Sequence, residues 1–358
     1  MPRKKGRTMR WFTIASLVFF FAVIVVLLLF MGPDVLEEIR GLDPLYVLLS
    51  MVCFLGVQLS WSIKYFLLVR RRVRKAWFPH VALSSMAGNF VNITTPSGRM
   101  AGEPVRAKMI ASCYDTRFSR VFASAMVDKA SLTIAMISLL VPLTVYATVT
   151  FEMPRFLQYL TGAFVLFWII IGVVSYLIFR NLGDKQSRQV GSLIHKVSSF
   201  LLRSRSRERS YYIERFKTGL SEFRSSFKFL AKNPVYMAVD LLLGVMIYSF
   251  RFAAAYMLFI AIGHSVPFFT VAMVVMVAFA IGLLSQIPGM IGIAETTMIY
   301  LYYSTGIEPA TAFTVSVMTQ MNSYLFEIGL GYIAMLSMNF ILRVRRKRRE
   351  ASASPQSI

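Results

Sequence analysis

Residues 89–110 read NFVNITTPSGRMAGEPVRAKMI, and the reading of this stretch decides the fold. The chain around it has 358 residues, is 56% hydrophobic and has a mean hydropathy of +0.61. In such surroundings an apolar helix is the default. Thr94, Thr95, Pro96, Ser97, Gly98 and Gly102 nevertheless interrupt it, and Arg99, Glu103 and Arg106 follow at once. Backbone outside a helix leaves N–H and C=O groups that lipid cannot satisfy, so a break survives only against protein or a water-filled cavity. The break therefore marks an interior.

Working outward, apolar runs at residues 11–31, 45–69, 121–149, 156–179, 234–262 and 312–342 each have about the length a helix needs to cross roughly 30 Å of hydrocarbon. The first follows the basic segment PRKKGRTMR and reads as a retained span rather than a cleaved leader. Two further apolar stretches, 81–110 and 268–303, are interrupted near the middle, at TPSGRMAG and at QIPGMIG. Six spans return the chain to its side of origin, so each interrupted stretch must emerge where it entered. The expectation is an all-α polytopic membrane protein with about six full spans and two broken re-entrant hairpins. The second stretch alternatively crosses twice, because 268–287 is long enough to span. One transmembrane domain covers 1–343, with a cytoplasmic basic loop at 180–233, and a basic tail covers 344–358.

The two breaks resemble each other. Pro96 precedes Glu103 by seven residues and Pro288 precedes Glu295 by the same seven, with Gly98 and Gly102 in one interval and Gly289 and Gly292 in the other. Span, broken hairpin, span occurs twice in opposite orientation, the inverted-repeat pattern of many transporters.

The net charge of +22 sorts by position. Thirty of the 39 Lys and Arg residues lie before the first span, at 64–75, at 180–232 and at 343–349, whereas the opposite connections are mainly acidic. By the positive-inside rule the basic segments and both termini are cytoplasmic, in a multi-pass protein of the cell membrane. The loop 180–233 reads as amphipathic helix on an anionic inner leaflet, and its partners as anionic membrane lipids rather than nucleic acid. Cys53 and Cys113 have no close partner, and His80, His195 and His264 are scattered, so neither a disulfide framework, a metal site nor a cofactor is implied.

A helix that restarts after the first break directs unpartnered N–H groups, the positive end of its dipole, at the break. Arg99, Glu103 and Arg106 recur at i, i+4 and i+7 and would share one face. A break, a helix N-terminus and two guanidinium groups amount to a lipid headgroup site formed by Arg99, Glu103, Arg106, Gly98 and Gly102. The competing reading is a structural Arg99–Glu103 pair, with Arg106 at the headgroups. Other ionisable groups at membrane depth mark a transport path: Arg251, Glu327 and Glu295, with Gln320 on the stripe Ser316, Gln320, Ser323, Glu327. Arg251 and Glu327 are a candidate pair. Asp240 shares a face with Arg251 but is too far along the helix to touch it, and Asp128 and Lys129 are expected at the interface. Glu295, without a basic neighbour in sequence, is expected to carry a proton during transport.

At TPSGRMAGEPVRA and IPGMIGIAETTMIYLY the chain resembles the flippase-like transmembrane region of the lysylphosphatidylglycerol synthase family, over roughly residues 11–343. The first family motif is matched by Pro96, Gly98, Arg99, Gly102, Glu103 and Arg106. The second is matched by Pro288, Gly289, Gly292 and Glu295, with Met290 where the family commonly has another Gly. The resemblance implies inverted repeats with re-entrant helices and a role in moving lipids or lipid-linked groups between leaflets. The soluble aminoacyl-transferase domain of full-length synthases is not expected, since about sixteen residues follow the last span. The alternative expectation is a membrane enzyme, or a subunit of one, that transfers a group to a lipid, with a separate lipid-modifying transferase as partner.

Overall fold

The computed structural model describes residues 33–150 apart from Gly98, residues 232–353, and a few helical positions between 155 and 229. Gly98, the run 11–31 and nearly all of the loop 180–233 lie outside the described residues, and the run 156–179 is described only in part. The described chain is all helical: α1 (Pro33–Gly41), α2 (Pro44–Arg72), α3 (Phe78–Thr94), α4 (Gly102–Tyr114), α5 (Phe118–Thr150), α6 (Pro234–Ile262), α7 (Phe268–Leu284), α8 (Ile293–Ser304), α9 (Pro309–Tyr324) and α10 (Gly331–Ala353). A single turn at Pro288–Met290 separates α7 from α8, and a π-helical turn at Leu325–Leu330 joins α9 to α10 without a stop. Among the described residues, four helices are long and apolar enough to cross a membrane: Pro44–Arg72, Phe118–Thr150, Pro234–Ile262 and Pro309–Arg346. These match four of the six expected spans.

Local chemistry sets the helix starts. Asp43 accepts a hydrogen bond from the Leu45 N–H (2.9 Å) ahead of α2, and Asn233 accepts one from Tyr236 (3.3 Å) ahead of α6. Each cap is followed by Pro44 or Pro234 in the first turn, where a missing N–H is no loss.

The interrupted stretches are pairs of short helices. At 1.5 Å per residue, α3 and α7 are about 25 Å long, α4 about 20 Å and α8 about 18 Å, all short of the hydrocarbon thickness. Within each pair the two helices pack on one another. The first pair has its open end at the basic side of the molecule: Trp77 N–H donates to Tyr114 Oη (2.7 Å), and Arg345 donates to the Cys113 carbonyl (2.6 Å). At the opposite side, Asp43 N–H donates to the Ala261 carbonyl (3.0 Å) and Thr311 donates to Glu38 (2.7 Å). The two breaks approach each other. The end of α3 packs on the Pro288–Met290 turn, with Ile93 against Gly289.

Among the described residues, two large apolar clusters fill the interior, beside a small one of Leu68 and Val127. One joins α2, α5, α6, α7, α8 and α9 through residues such as Phe54, Trp61, Leu132, Phe259, Val274 and Tyr302. The other joins α2, α3, α4, α5 and α10 through Tyr65, Phe90, Ile110, Val121 and Met338. Buried charge collects between them. On α2, Lys64 lies between Trp61 of one cluster and Tyr65 of the other, and on α5 Asp128 lies between Ala125 and Leu132.

The α3–α4 crossing depends on two glycines. A Cβ on Gly102 would overlap the main-chain oxygen of Gly88, and one on Gly88 would stand 3.2 Å from the Gly102 oxygen. Backbone contact this close requires glycine. Gly102→Ala is therefore expected to lower stability by about 1–3 kcal/mol through overpacking. Gly41→Ala, where nothing lies within 4 Å, is the control. Thermal unfolding of both purified variants in detergent checks this, and equal melting points would contradict it.

Candidate functional site

Arg99 is the pivot of the site. It stands in the turn before α4, in the left-handed region at φ 61°, which a non-glycine residue rarely adopts. It does not share a helical face with Glu103 and Arg106, because the helix begins only at Gly102. Lys129 Nζ donates to the Arg99 carbonyl (3.0 Å), and the Arg99 guanidinium reaches Glu327 Oε2 at 3.1 Å. The same carboxylate pairs with Arg251 from α6 and accepts a hydrogen bond from Ser323 (3.3 Å). The pair anticipated between Arg251 and Glu327 is present. All three charged side chains are buried, and Arg99 Nε has no hydrogen-bond partner. Both guanidinium groups lie over the Phe279 ring, at 5.3 Å for Arg99 and 5.4 Å for Arg251. A cavity of about 20 Å³, room for about one water, adjoins Arg251 and is lined by Phe54, Phe279, Met290, Thr319 and Gln320.

Arg106 belongs to a different cluster. It pairs with Glu103 one turn back and with Asp128 Oδ2 (2.6 Å), and its guanidinium lies 4.1 Å from the centre of the Tyr65 ring. Lys64 binds the other Asp128 oxygen at 2.6 Å and stands 3.2 Å from Asp240 Oδ2. Asp128 is buried in this cluster rather than lying at an interface, because both of its oxygens are held by cations from α2 and α4. Lys64 reads in the sequence as one of six basic residues of an orientation signal. Its position well inside an apolar run, six residues before Arg70, is the signal that it is not.

The N–H groups at the start of α4 are already engaged. Gly102 N–H donates to Asn92 (2.7 Å), Ala101 N–H to Ser97 Oγ (3.1 Å) and Glu103 N–H to the Met100 carbonyl (3.3 Å). Glu103 itself brings a negative charge to this helix end. The helix end is thus compensated from within the protein, and Gly102 serves the contact with Gly88.

In the second break Gly289, Met290 and Gly292 have φ of 65°, 61° and 83°. The left-handed backbone at Met290 accounts for a position where glycine fits without strain. Its side chain rests against Gly282. Glu295 Oε2 accepts from the Gly292 N–H (2.8 Å), the return half of a capping box, and Oε1 accepts from the Tyr324 hydroxyl (2.9 Å). Tyr324 also lies 3.3 Å from the Gly289 carbonyl. Tyr324 and Glu327, three residues apart, thereby touch the second and the first break. Pro96 and Gly292 are exposed at the tips, whereas Glu103 and Glu295 are buried.

The family model of the lysylphosphatidylglycerol synthase transmembrane region matches residues 12–331. Similar proteins include a UPF0104 membrane protein of Methanocaldococcus jannaschii, 26% identical over 89% of this chain and 93% of its own. Another from Methanothermobacter thermautotrophicus is 24% identical over 86% and 90%, and one from Pyrococcus horikoshii is 25% identical over 84% and 89%.

Removing one partner of a buried ion pair strands the others in low dielectric. Glu327→Gln leaves two guanidinium groups against a neutral amide and is expected to cost about 3–5 kcal/mol. Adding Arg251→Gln should recover part of that loss, because contacting residues are not additive. Denaturation of the two single variants and the double variant measures the coupling, and strict additivity would show that the three side chains act independently.

Proposed function

Because this multi-pass membrane chain belongs to the family of the lysylphosphatidylglycerol synthase transmembrane region, we propose that it is a flippase-like transporter. It moves an anionic lipid, or an anionic lipid-linked group, between leaflets. The observation that carries this reading is the charge at the first break: two buried guanidinium groups, Arg99 and Arg251, against the single carboxylate of Glu327. Glu295, the next carboxylate, is taken by the Gly292 N–H and Tyr324. A surplus cation in a low-dielectric interior is most stable with an anion beside it. The Arg99 Nε is a buried donor without a hydrogen-bond partner, and a phosphate in forked contact with guanidinium is the matching chemistry.

Arg99 and Arg251 thus form the headgroup site in this reading. Arg106, neutralised by Glu103 and Asp128, fixes its frame. Gln320 and Arg251 line the cavity on the path, Glu327 holds Arg251 beside it, and Glu295 caps the half-helix α8. The short helices of each pair, their opposite open ends and the contact between Ile93 and Gly289 support two re-entrant hairpins of an inverted repeat that meet at their tips. Basic residues at one end and Glu38 and Asp43 at the other support cytoplasmic termini.

The test is lipid movement by purified protein in vesicles of phosphatidylcholine with labelled phosphatidylglycerol. Arg99→Ala and Arg251→Ala are expected to slow movement about tenfold or more and to weaken phosphatidylglycerol binding. Arg74→Ala, on the exposed basic surface, should change either by less than about twofold, because exposed charge is screened. Equal losses in all three variants, or no movement by the unaltered protein, would refute the reading.

A further inference from the structure

The Lys64 cluster contains a buried carboxylate, Asp240, that no donor meets in good hydrogen-bond geometry. An ammonium has three protons. Those of Lys64 go to Asp128 Oδ1 (2.6 Å), the Asp128 carbonyl (2.9 Å) and Ser131 Oγ (2.7 Å). Ser131 in turn donates to the Asp128 carbonyl (3.0 Å). Asp240 has Lys64 at 3.2 Å and Ser131 beside it, but neither is aligned as a full hydrogen bond, and both of its carboxylate oxygens are buried. Asp240 is only 3% exposed. A buried carboxylate with no well-aligned donor is stabilised by acquiring its own proton.

From these contacts we propose that Asp240 is the proton-binding site that couples lipid movement to proton uptake. The proposal rests on the transport reading above and supplies its coupling ion. Glu295 does not fill this role, since both of its oxygens already accept hydrogen bonds. Among the described residues, the charged groups that face Asp240 come from two helices: Lys64 from α2, and Asp128 from α5, whose other oxygen binds Arg106 of α4. α7 and α9, which also pack on α6, contain no charged residue. Arg71 of α2 is engaged with the Tyr236 ring, one turn nearer the basic end. With Asp240 ionised, three cations, Lys64, Arg106 and Lys129, face three carboxylates, Glu103, Asp128 and Asp240.

The position suits exchange with water. Asp240 is the seventh residue of α6, about 9 Å along the helix from its start at the basic end. The step is protonation alone: a proton from water at the basic end bonds to an oxygen of Asp240, and the new O–H is a donor beside Ser131. No other bond is made or broken. Lys64 keeps its three protons, so the change is confined to whether Asp240 competes for them. A sodium ion fits less well, because the Lys64 ammonium already occupies the space between the carboxylates.

The experiment has two arms. In the first, infrared difference spectra of the purified protein in detergent, acid minus alkaline and without added lipid, should show one protonated carboxyl band that disappears in Asp240→Asn and moves in Asp240→Glu. In the second, phosphatidylglycerol movement in vesicles should fall about tenfold per pH unit on the alkaline side of the transition and become flat with pH in Asp240→Asn. A band unchanged in both variants, or a pH profile kept by a folded Asp240→Asn, overturns the proposal. A transition that follows sodium rather than pH also overturns it. A band that behaves as stated in a protein that moves no lipid sustains the proton site and defeats the transport reading. Should Asp240→Asn fail to fold, the band shift in Asp240→Glu decides the first arm, and its displaced pH profile decides the second.

Discussion

A single carboxylate, that of Glu327, holds two guanidinium groups that arrive from separate parts of the chain, Arg99 from the first break and Arg251 from α6. The rest of the interior is arranged around it. Glu327 stands in the π-helical turn, where the helix admits an extra residue and rotates the turns beyond it. Tyr324, immediately before that turn, holds the second break through Glu295 and the Gly289 carbonyl. One turn of helix therefore fixes both interruptions, and neither can shift without a change of partner at Tyr324 or Glu327. Left-handed backbone at Arg99, Gln286 and Met290 indicates conformations that surrounding contacts must sustain.

The same groups lie along a seam between two apolar clusters. Interdigitated apolar side chains resist sliding, because displaced atoms lose close contact on every side. Charged and hydroxyl groups can exchange one partner for another at smaller cost, provided none is left unpaired. Lys64 with its three acceptors, and Glu327 with its two cations, are suited to such exchange. A division of this kind leaves a packed body on each side with ionic contacts between them.

The sequence was most informative where physics is local. Apolar runs located the four described spans to within a few residues, and Pro and Gly located both breaks, because lipid tolerates neither free backbone nor isolated charge. The Arg251–Glu327 pair was legible for the same reason: each is a lone charge in an apolar helix. What pairs with Arg99 was not legible, since the turn between Pro96 and the true helix start at Gly102 directs its side chain away from Glu103 toward a residue more than two hundred positions later. Asp128 was misplaced because its position near a span end suggests an interface, and only the approach of α2 and α4 buries it. The expected anion site at the α4 N-terminus did not include Asn92, Ser97 and Glu103 as internal partners of that helix end.

Two neighbours on α5 connect the clusters. Asp128 grips Arg106 inside α4, while Lys129 grips the Arg99 carbonyl ahead of it. The start of α4 is thus clamped on both sides by one turn of α5, and Arg99 extends from the clamped turn to Glu327. A change in how Lys64 divides itself between Asp128 and Asp240 alters the charge left on Asp128 to hold Arg106, and the same α5 turn carries the contact to Arg99. The route runs through a few bonds, all of them ionic or charge-assisted, whose strength responds directly to the gain or loss of one proton. A charge change at Asp240 therefore has a short physical line to the Arg99 guanidinium, whereas Glu295, held by a neutral hydroxyl and a backbone N–H, has none of that kind.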